Sequence, residues 1–165
     1  MDEMPGIGGY LPMNEQPLST PVRIYLDVCS LCRPFDDQTK GRIRLEATAV
    51  QEIIRRCTDE FILVTSEVVI EEISEIPDAN KRLRVEKIVG MAKEHVIVDE
   101  EIVTRMYELI SMGGEAMDSL HIACAERACA IFLTTDDRLI TFFKSHQLIQ
   151  VRVENPVTWL KEVNA

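Results

Sequence analysis

Short apolar runs alternate along this chain with segments of helical periodicity, and this alternation constrains the fold more than any other feature of the sequence. Five runs have the length of a β-strand and are nearly continuous in apolar residues: 22–26, 61–64, 96–98, 131–133 and 148–151. Such runs are typical of a parallel sheet that is covered on both faces. The alternation therefore predicts a three-layer α/β/α sandwich with a mainly parallel sheet of about five strands.

The segments between these runs carry helix signals. Apolar residues recur at spacings of three and four across 43–54 and 102–109, which predicts an amphipathic helix in each range. The glycine pair at 113–114 should end the second of these helices, and a further helix is predicted over 115–129. The Asn-Pro pair at 155–156 is typical of a cap and first turn, and it predicts a last helix.

The chain has the length and composition of a single domain. Its 165 residues are 46% hydrophobic but only 5% aromatic, which suits one aliphatic core. Residues 1–21 are rich in proline and glycine and lack periodicity, so we predict a flexible N-terminal extension there and a single domain over 22–165. We expect a cytoplasmic protein without a membrane partner, because no run approaches the roughly 18 apolar residues of a span and no secretory signal is evident.

The cysteines point to a reducing compartment. There are five of them, an odd number, and most lie inside apolar segments, which predicts reduced and buried thiols rather than a disulfide framework. The Cys-x-x-Cys spacing occurs once, at Cys29 and Cys32, without a second pair at the spacing of a zinc site. Core thiols are therefore favoured over a structural zinc ion.

The charge balance argues mildly against nucleic acid as a partner. The formal net charge is −10, whereas binding to phosphate groups normally requires an excess of Lys and Arg on one face. Acidic residues concentrated in a metal site would raise the total while leaving the rim basic. Arg33, Lys40, Arg42 and Arg44 form a dense basic group that could bind an RNA backbone or simply supply the polar face of the first long helix.

Several acidic residues occupy positions that the predicted fold brings to one edge. Asp27 directly follows the first strand and Asp136 follows the 131–133 strand, so both should lie at the carboxyl edge of the sheet, where open α/β folds bind ligands. Asp118 lies early in a helix among apolar residues, where an unpaired carboxylate is costly. Glu72 comes soon after the second strand and can reach the same edge.

Clustered carboxylates repel one another unless a cation lies between them. A hard divalent ion such as Mg²⁺ or Mn²⁺ is the natural occupant of such a cluster. A metal in this setting lowers the pKa of a bound water and neutralises charge on phosphate oxygens, which favours hydrolysis of phosphodiester bonds. Simpler roles stay open, since Asp27 can cap a turn, Asp118 can favour a helix N-terminus, and Glu72 can belong to a solvated face.

Four segments resemble, in the same order, the motifs of PIN domains of the VapC-like ribonuclease kind: 24–31, 66–73, 117–123 and 133–136. The resemblance covers the chain from about residue 22 to the C-terminus. It implies an Mg²⁺- or Mn²⁺-dependent endoribonuclease that is often a homodimer. In many bacteria and archaea such a protein is the toxin of a type II toxin–antitoxin pair, with RNA as substrate and an antitoxin protein as partner.

The resemblance also implies site residues. The acids of the family fall on Asp27, Glu72, Asp118 and Asp136, with Asp27, Asp118 and Asp136 as metal ligands. Arg33, Lys40 and Arg42 are then the candidates for contact with RNA, and Asp137 could share or replace the role of Asp136. His121, one turn after Asp118, is expected to be a structural histidine beside the site.

One departure from the family pattern keeps other functions open. Many family members have Asn, Ser or Thr two residues after the first aspartate, where this chain has Cys29. Together with the net acidity, this residue leaves a catalytically inactive PIN-type interaction module as the alternative. A phosphatase with Asp27 as nucleophile ranks last, because Cys29 also occupies the place of the second aspartate that such enzymes usually need.

Overall fold

The computed structural model describes residues 20–146 and 149–165. The predicted N-terminal extension at 1–21 lies outside the described residues except for residues 20 and 21. Within the described residues, eight α-helices and a short 3-10 turn, Arg33–Phe35, accompany a five-stranded sheet. The predicted α/β/α architecture is confirmed.

The sheet is parallel throughout, with the order β3-β2-β1-β4-β5. Its strands are β1 (Arg23–Leu26), β2 (Ile62–Ser66), β3 (Glu94–Val96), β4 (Ile131–Leu133) and β5 (Val153–Glu154). The central strand β1 pairs with β2 on one side and with β4 on the other. The chain order reverses between β1 and β4, and this switch point is where open α/β sheets form a ligand crevice at the carboxyl ends of their strands.

The helices connect and flank these strands. They are α1 (Val28–Cys32), α2 (Gly41–Arg56), α3 (Glu67–Ser74), α4 (Ala79–Val89), α5 (Glu100–Ser111), α6 (Ala116–Ala128), α7 (Asp137–Lys144) and α8 (Pro156–Val163). Helix α2 packs against α8, and α5 packs against α6. None of the described helices is long and apolar enough to cross a membrane.

Local signals in the sequence set several helix boundaries as predicted. Gly113 has a φ of 105°, a left-handed conformation that glycine adopts readily, and it follows α5 directly. The Asn155 side chain accepts a hydrogen bond from the Val157 backbone N–H, and Pro156 occupies the first turn of α8. Both predicted boundaries are confirmed.

Two predicted strands are misplaced. The predicted strand at 96–98 lies at Glu94–Val96, with Ile97 already 68% exposed beyond it. The predicted strand at 148–151 is wrong, because the sheet continues at Val153–Glu154 instead; residue 148 lies outside the described residues. Ile149 and Val151 pack against the core without pairing to β4. A short apolar run indicates that its side chains are buried, whereas a strand also needs an adjacent strand for its backbone hydrogen bonds.

The cysteines are all free. Cys32, Cys57 and Cys124 are buried as predicted. The prediction of burial is wrong for Cys29 and Cys129, which are exposed. Cys29 lies on the exposed side of the short helix α1, and Cys129 ends α6 with a left-handed φ of 52° just before the buried Ala130.

Candidate active site

Asp27 is held rigidly where β1 ends. Its carboxylate caps α1: Oδ1 accepts a hydrogen bond from the Ser30 backbone N–H at 2.9 Å, and Oδ2 accepts one from the Thr134 hydroxyl at 2.5 Å. The side chain is only 7% exposed, and burial raises the pKa of Asp27 against the lowering effect of these hydrogen bonds. Ser30 and Thr134 thus give Asp27 polar contacts, although this chain has Cys29 where many family members have a polar residue.

Asp136 is fixed at the same edge by the N-terminus of α7. Its Oδ1 accepts hydrogen bonds from the backbone N–H groups of Arg138 and Leu139, and its own N–H donates to the Thr134 hydroxyl oxygen at 3.1 Å. The register of β1 and β4 pairs Leu26 with Leu133, so the residues that follow, Asp27 and Thr134, lie side by side. Thr134 therefore bridges Asp27 and Asp136.

Asp118 joins Asp136 in a cleft of about 480 Å³ at this edge. The side chain lies in the first turn of α6 and is half-buried. Burial is the largest influence on its pKa; a hydrogen bond and the charge of Glu115 follow, then the charge of Asp136, and together they raise the pKa of Asp118 to about 7. Three carboxyl groups, from Glu115, Asp118 and Asp136, thus lie together in the lining of the cleft.

The turn before α6 brings Asp118 to this position. Gly114 lies so close to its surroundings that a Cβ atom there would be 2.5 Å from the Ser119 hydroxyl oxygen and 3.0 Å from the Leu109 carbonyl oxygen. Only glycine allows α5 and α6 to approach in this way. The close turn sets the angle at which the first residues of α6, including Asp118, enter the cleft.

The buried His121 connects Tyr25 to the partly exposed Glu72. The His121 Nε2 atom lies 2.9 Å from Glu72 Oε1, and its Nδ1 atom lies 2.7 Å from the Tyr25 hydroxyl, which also contacts Ser66. Glu72 lines a second groove, beside α3, rather than the cleft of Asp118 and Asp136. His121 is buried and fixed, as expected for a structural histidine beside the site, and it orients Glu72.

Two of the three basic candidates, Arg33 and Arg42, form ion pairs. Arg33 contacts Glu46 and Asp36, and Arg42 forms a two-pronged contact with Asp137 at 2.7 and 2.8 Å. Asp137 is therefore occupied by Arg42, outside the cleft lining. Lys40 is exposed and has no side-chain partner among the described residues. Roles for Arg33, Lys40 and Arg42 in RNA binding, and for Asp137 as an auxiliary acid, stay predictions.

The structure adds residues that the sequence did not single out. Glu115 crowds Asp118, and Thr134 connects two of the predicted acids. Arg138 lines the cleft and has no ion-pair partner in the described part of the chain. The sequence did contain a signal for Thr134, because this residue follows β4 as Asp27 follows β1. It contained none for Glu115, which precedes α6, or for Arg138 in the first turn of α7, because such residues are common on protein surfaces.

The donor chemistry of the cleft suits a hard divalent cation. Among residues 20–146 and 149–165, no three His, Cys, Asp or Glu side chains form a closed metal-binding group. Magnesium, however, is usually held by one or two carboxylates with waters and substrate phosphate filling the other positions. Asp118 and Asp136 offer such oxygen ligands, and a cation between them would relieve the repulsion that raises the pKa of Asp118.

Comparison with known families decides the relationship. The PIN domain model matches residues 24–142, which is more than half of the chain and includes all four predicted acids. The chain belongs to the PIN domain family. No curated protein matches this PIN domain in sequence.

Solved structures share its fold at low sequence identity. FitAcB from Neisseria gonorrhoeae matches with a TM-score of 0.55 and 19% identity, over 81% of this chain and 97% of that one. VapBC2 from Rickettsia felis, bound to a DNA fragment from their promoter, matches with a TM-score of 0.54 and 14% identity, over 81% and 98%. PAE2754 from Pyrobaculum aerophilum matches with a TM-score of 0.53 and 14% identity, over 87% and 91%. These likenesses establish the PIN fold.

Proposed function

We propose that this PIN domain is an endoribonuclease that depends on Mg²⁺ or Mn²⁺ and acts in the cytoplasm. The observation that carries the proposal is that the carboxyl groups of Asp118, Asp136 and Glu115 line one cleft close to the buried Asp27. Burial of Asp118, followed by its hydrogen bond to Glu115 and the charges of Glu115 and Asp136, raises the pKa of Asp118 to about 7. A divalent cation bound there supplies a water of lowered pKa and neutralises charge on the phosphate. The carboxylates of Asp118 and Asp136 would hold it, with Asp27 as the third ligand.

The chain's own residues orient these ligands. Asp27 is fixed from two sides by Ser30 and Thr134, so its carboxylate cannot rotate away from the edge of the sheet. Asp136 is fixed by the backbone N–H groups at the start of α7. Glu72 is positioned by His121 and we assign it the fourth acidic position, adjacent to the metal ligands rather than among them. Such prior orientation lowers the reorganisation needed when substrate binds.

The decisive experiment is an RNA cleavage assay with purified protein. We expect cleavage in Mg²⁺ or Mn²⁺ and none after chelation. Asp118→Asn should abolish it while circular dichroism remains unchanged. Asp59→Asn, a matched change at an exposed aspartate after α2, should leave cleavage intact. Equal activity of Asp118→Asn and the unaltered protein would contradict the proposal.

An antitoxin is the proposed protein partner, so the domain would be the toxin of a type II pair. Support comes from a groove beside the site that is lined by four glutamates, three of α3 (Glu67, Glu71 and Glu72) and its C-cap Glu75. Its remaining lining is apolar, from Val28, Val68, Val98, Met117 and Leu120. A partner segment that alternates basic and apolar side chains is complementary to such a groove. Homodimer formation also stays a prediction, and sedimentation of the isolated chain would test it.

Two other functions are less well supported. A catalytically inactive interaction module would bind Mn²⁺ in calorimetry no better than a variant with both Asp27→Asn and Asp136→Asn, and clear binding by the unaltered chain alone would exclude it. The phosphatase alternative requires a nucleophilic Asp27. Such enzymes usually need a second aspartate two residues later, and Cys29 occupies that place in this chain.

A further inference from the structure

The lining of the acidic cleft combines two kinds of side chain. Glu115, Asp118 and Asp136 contribute carboxyl groups, whereas Arg138 and Phe142 of α7 contribute a guanidinium group and an aromatic ring. Arg138 is exposed and makes no ion pair within the described residues, unlike Arg42 and Arg33, which are held by carboxylates. Arg138 is therefore the cleft-lining cation that is available to a ligand.

Phe142 supplies an aromatic surface in the same cleft. It lies four residues after Arg138, so both side chains share one face of α7, with their Cβ atoms about 6 Å apart. The ring is half-buried, with the His146 ring 4.3 Å from its centroid at a tilt of 38°. Gly113 faces Phe142 at a close approach, since a Cβ there would be 3.4 Å from the ring. The ring is thus supported by its neighbours, and part of it lines the cleft that also contains Arg138 and the three carboxyl groups.

We propose that Arg138 and Phe142 form a nucleotide subsite for single-stranded RNA. The Arg138 guanidinium binds a backbone phosphate near the one to be cut, and the Phe142 ring stacks on the base of that nucleotide. Stacking requires a base that is free of its neighbours, so the subsite selects unpaired RNA over a duplex. This inference deepens the proposed function and rests on it for the choice of RNA as substrate.

The two contacts can be separated by the chemistry of the probe. Binding is measured by fluorescence anisotropy in an Asp118→Asn background, which keeps the RNA intact. The probes are a short single-stranded RNA and an oligomer of the same length with the ribose-phosphate backbone but no bases. Arg138→Gln should weaken binding of both probes and lower the slope of log affinity against log salt by about 0.7. The matched control is Arg55→Gln, which removes the same charge at the exposed end of α2.

Substitution of Phe142 should affect only the probe that carries bases. Phe142→Leu keeps an apolar side chain for packing but removes the ring, so it should weaken RNA binding by about five- to 100-fold and leave the salt slope unchanged. Phe142→Tyr should retain most of the affinity. The abasic oligomer should bind both variants as it binds the parent protein.

Four results decide between these possibilities. Equal behaviour of Arg138→Gln and Arg55→Gln, or equal weakening of both probes by Phe142→Leu, would overturn the subsite even if the enzyme cuts RNA. The expected binding pattern in a protein that cuts no RNA in Mg²⁺ or Mn²⁺, tested with Asp118 intact, would support the subsite and contradict the ribonuclease proposal. A loss of RNA affinity in Phe142→Tyr as large as that in Phe142→Leu would also count against stacking.

Discussion

The carboxylate of Glu46 and the carboxylates of the cleft both lie near the carboxyl edge of the sheet, but they differ in the groups that surround them. Glu46 is only 2% exposed, and its oxygens accept hydrogen bonds from Arg33 Nε at 3.1 Å and Asn155 Nδ2 at 2.7 Å. In the cleft, by contrast, Asp118 is close to two further carboxyl groups, and its pKa rises to about 7. The paired charge of Glu46 connects α2 to the 3-10 turn and to the start of α8. The acids around Asp118, which form no ion pair within the described residues, instead indicate a ligand-binding site.

The largest expected effect belongs to the paired carboxylate of Glu46. Glu46→Ala removes the buried carboxylate between Arg33 and Asn155 and should lower the free energy of unfolding by about 3 kcal/mol, because two partly buried donors lose their acceptor. Urea denaturation measures the change. Glu86→Ala, at an exposed position of α4, serves as the control and should shift stability by less than about 0.5 kcal/mol. A loss in Glu46→Ala no larger than in the control would break the distinction between the two groups.

The next effect concerns metal at the acids around Asp118. Mn²⁺ at about 100 times its Kd should raise the free energy of unfolding by about 2.7 kcal/mol, because the ion binds only the folded chain. Thermal melts with and without chelator measure this increase. The variant with both Asp118→Asn and Asp136→Asn should not respond to the ion. An equal response in that variant would place metal binding elsewhere in the protein.

A smaller effect follows from the pKa of Asp118 in metal-free protein. The folded-state pKa of about 7 lies above the ordinary value of 3.8, so the folded state holds the proton more tightly and Asp118 lowers stability progressively as pH rises between those values. Asp118→Asn should therefore stabilise the chain by about 1 kcal/mol above pH 8, after allowance for solvent screening of a half-exposed group. The gain should vanish near pH 4. A gain that is independent of pH would refute the electrostatic account.

The smallest effect is expected for a surface pair that links the two groups. Arg42 and Asp137 are 56% and 64% exposed, so their close contact is largely screened by solvent. A double-mutant cycle with Arg42→Gln and Asp137→Asn should give a coupling energy of about 0.2 to 1 kcal/mol that declines with added salt. A coupling above about 2 kcal/mol would mean that this pair belongs with the buried network of Glu46.

Prediction from the sequence succeeded where one residue pattern has one structural meaning. The run at 131–133 matches β4 at both ends, because a strand buried on both faces is apolar throughout. The edge strand β5 has two residues and no such pattern, so the apolar run before it was assigned instead. Glycine and Asn-Pro signals at helix ends were likewise reliable, since they act through the local backbone.

For the site, the sequence placed Asp27 and Asp136 at the carboxyl edge because Asp27 directly follows β1 and Asp136 lies three residues after the end of β4 in a parallel sheet. It could not reveal that Arg33 is held by Glu46, or that Glu115 crowds Asp118. These relations depend on which side chains meet after folding. Arg138, which has no ion-pair partner among residues 20–146 and 149–165, and the paired Arg42 look alike in a sequence.

The sequence by itself determined the family, the parallel α/β fold and the strand ends that carry two of the acids, because burial on both faces and residues at element ends leave direct traces in the order of amino acids. Only the tertiary structure decided which charges are compensated. Electrostatic energy depends on distances and burial among side chains from different elements, and this arrangement separates the scaffold around Glu46 from the cleft around Asp118.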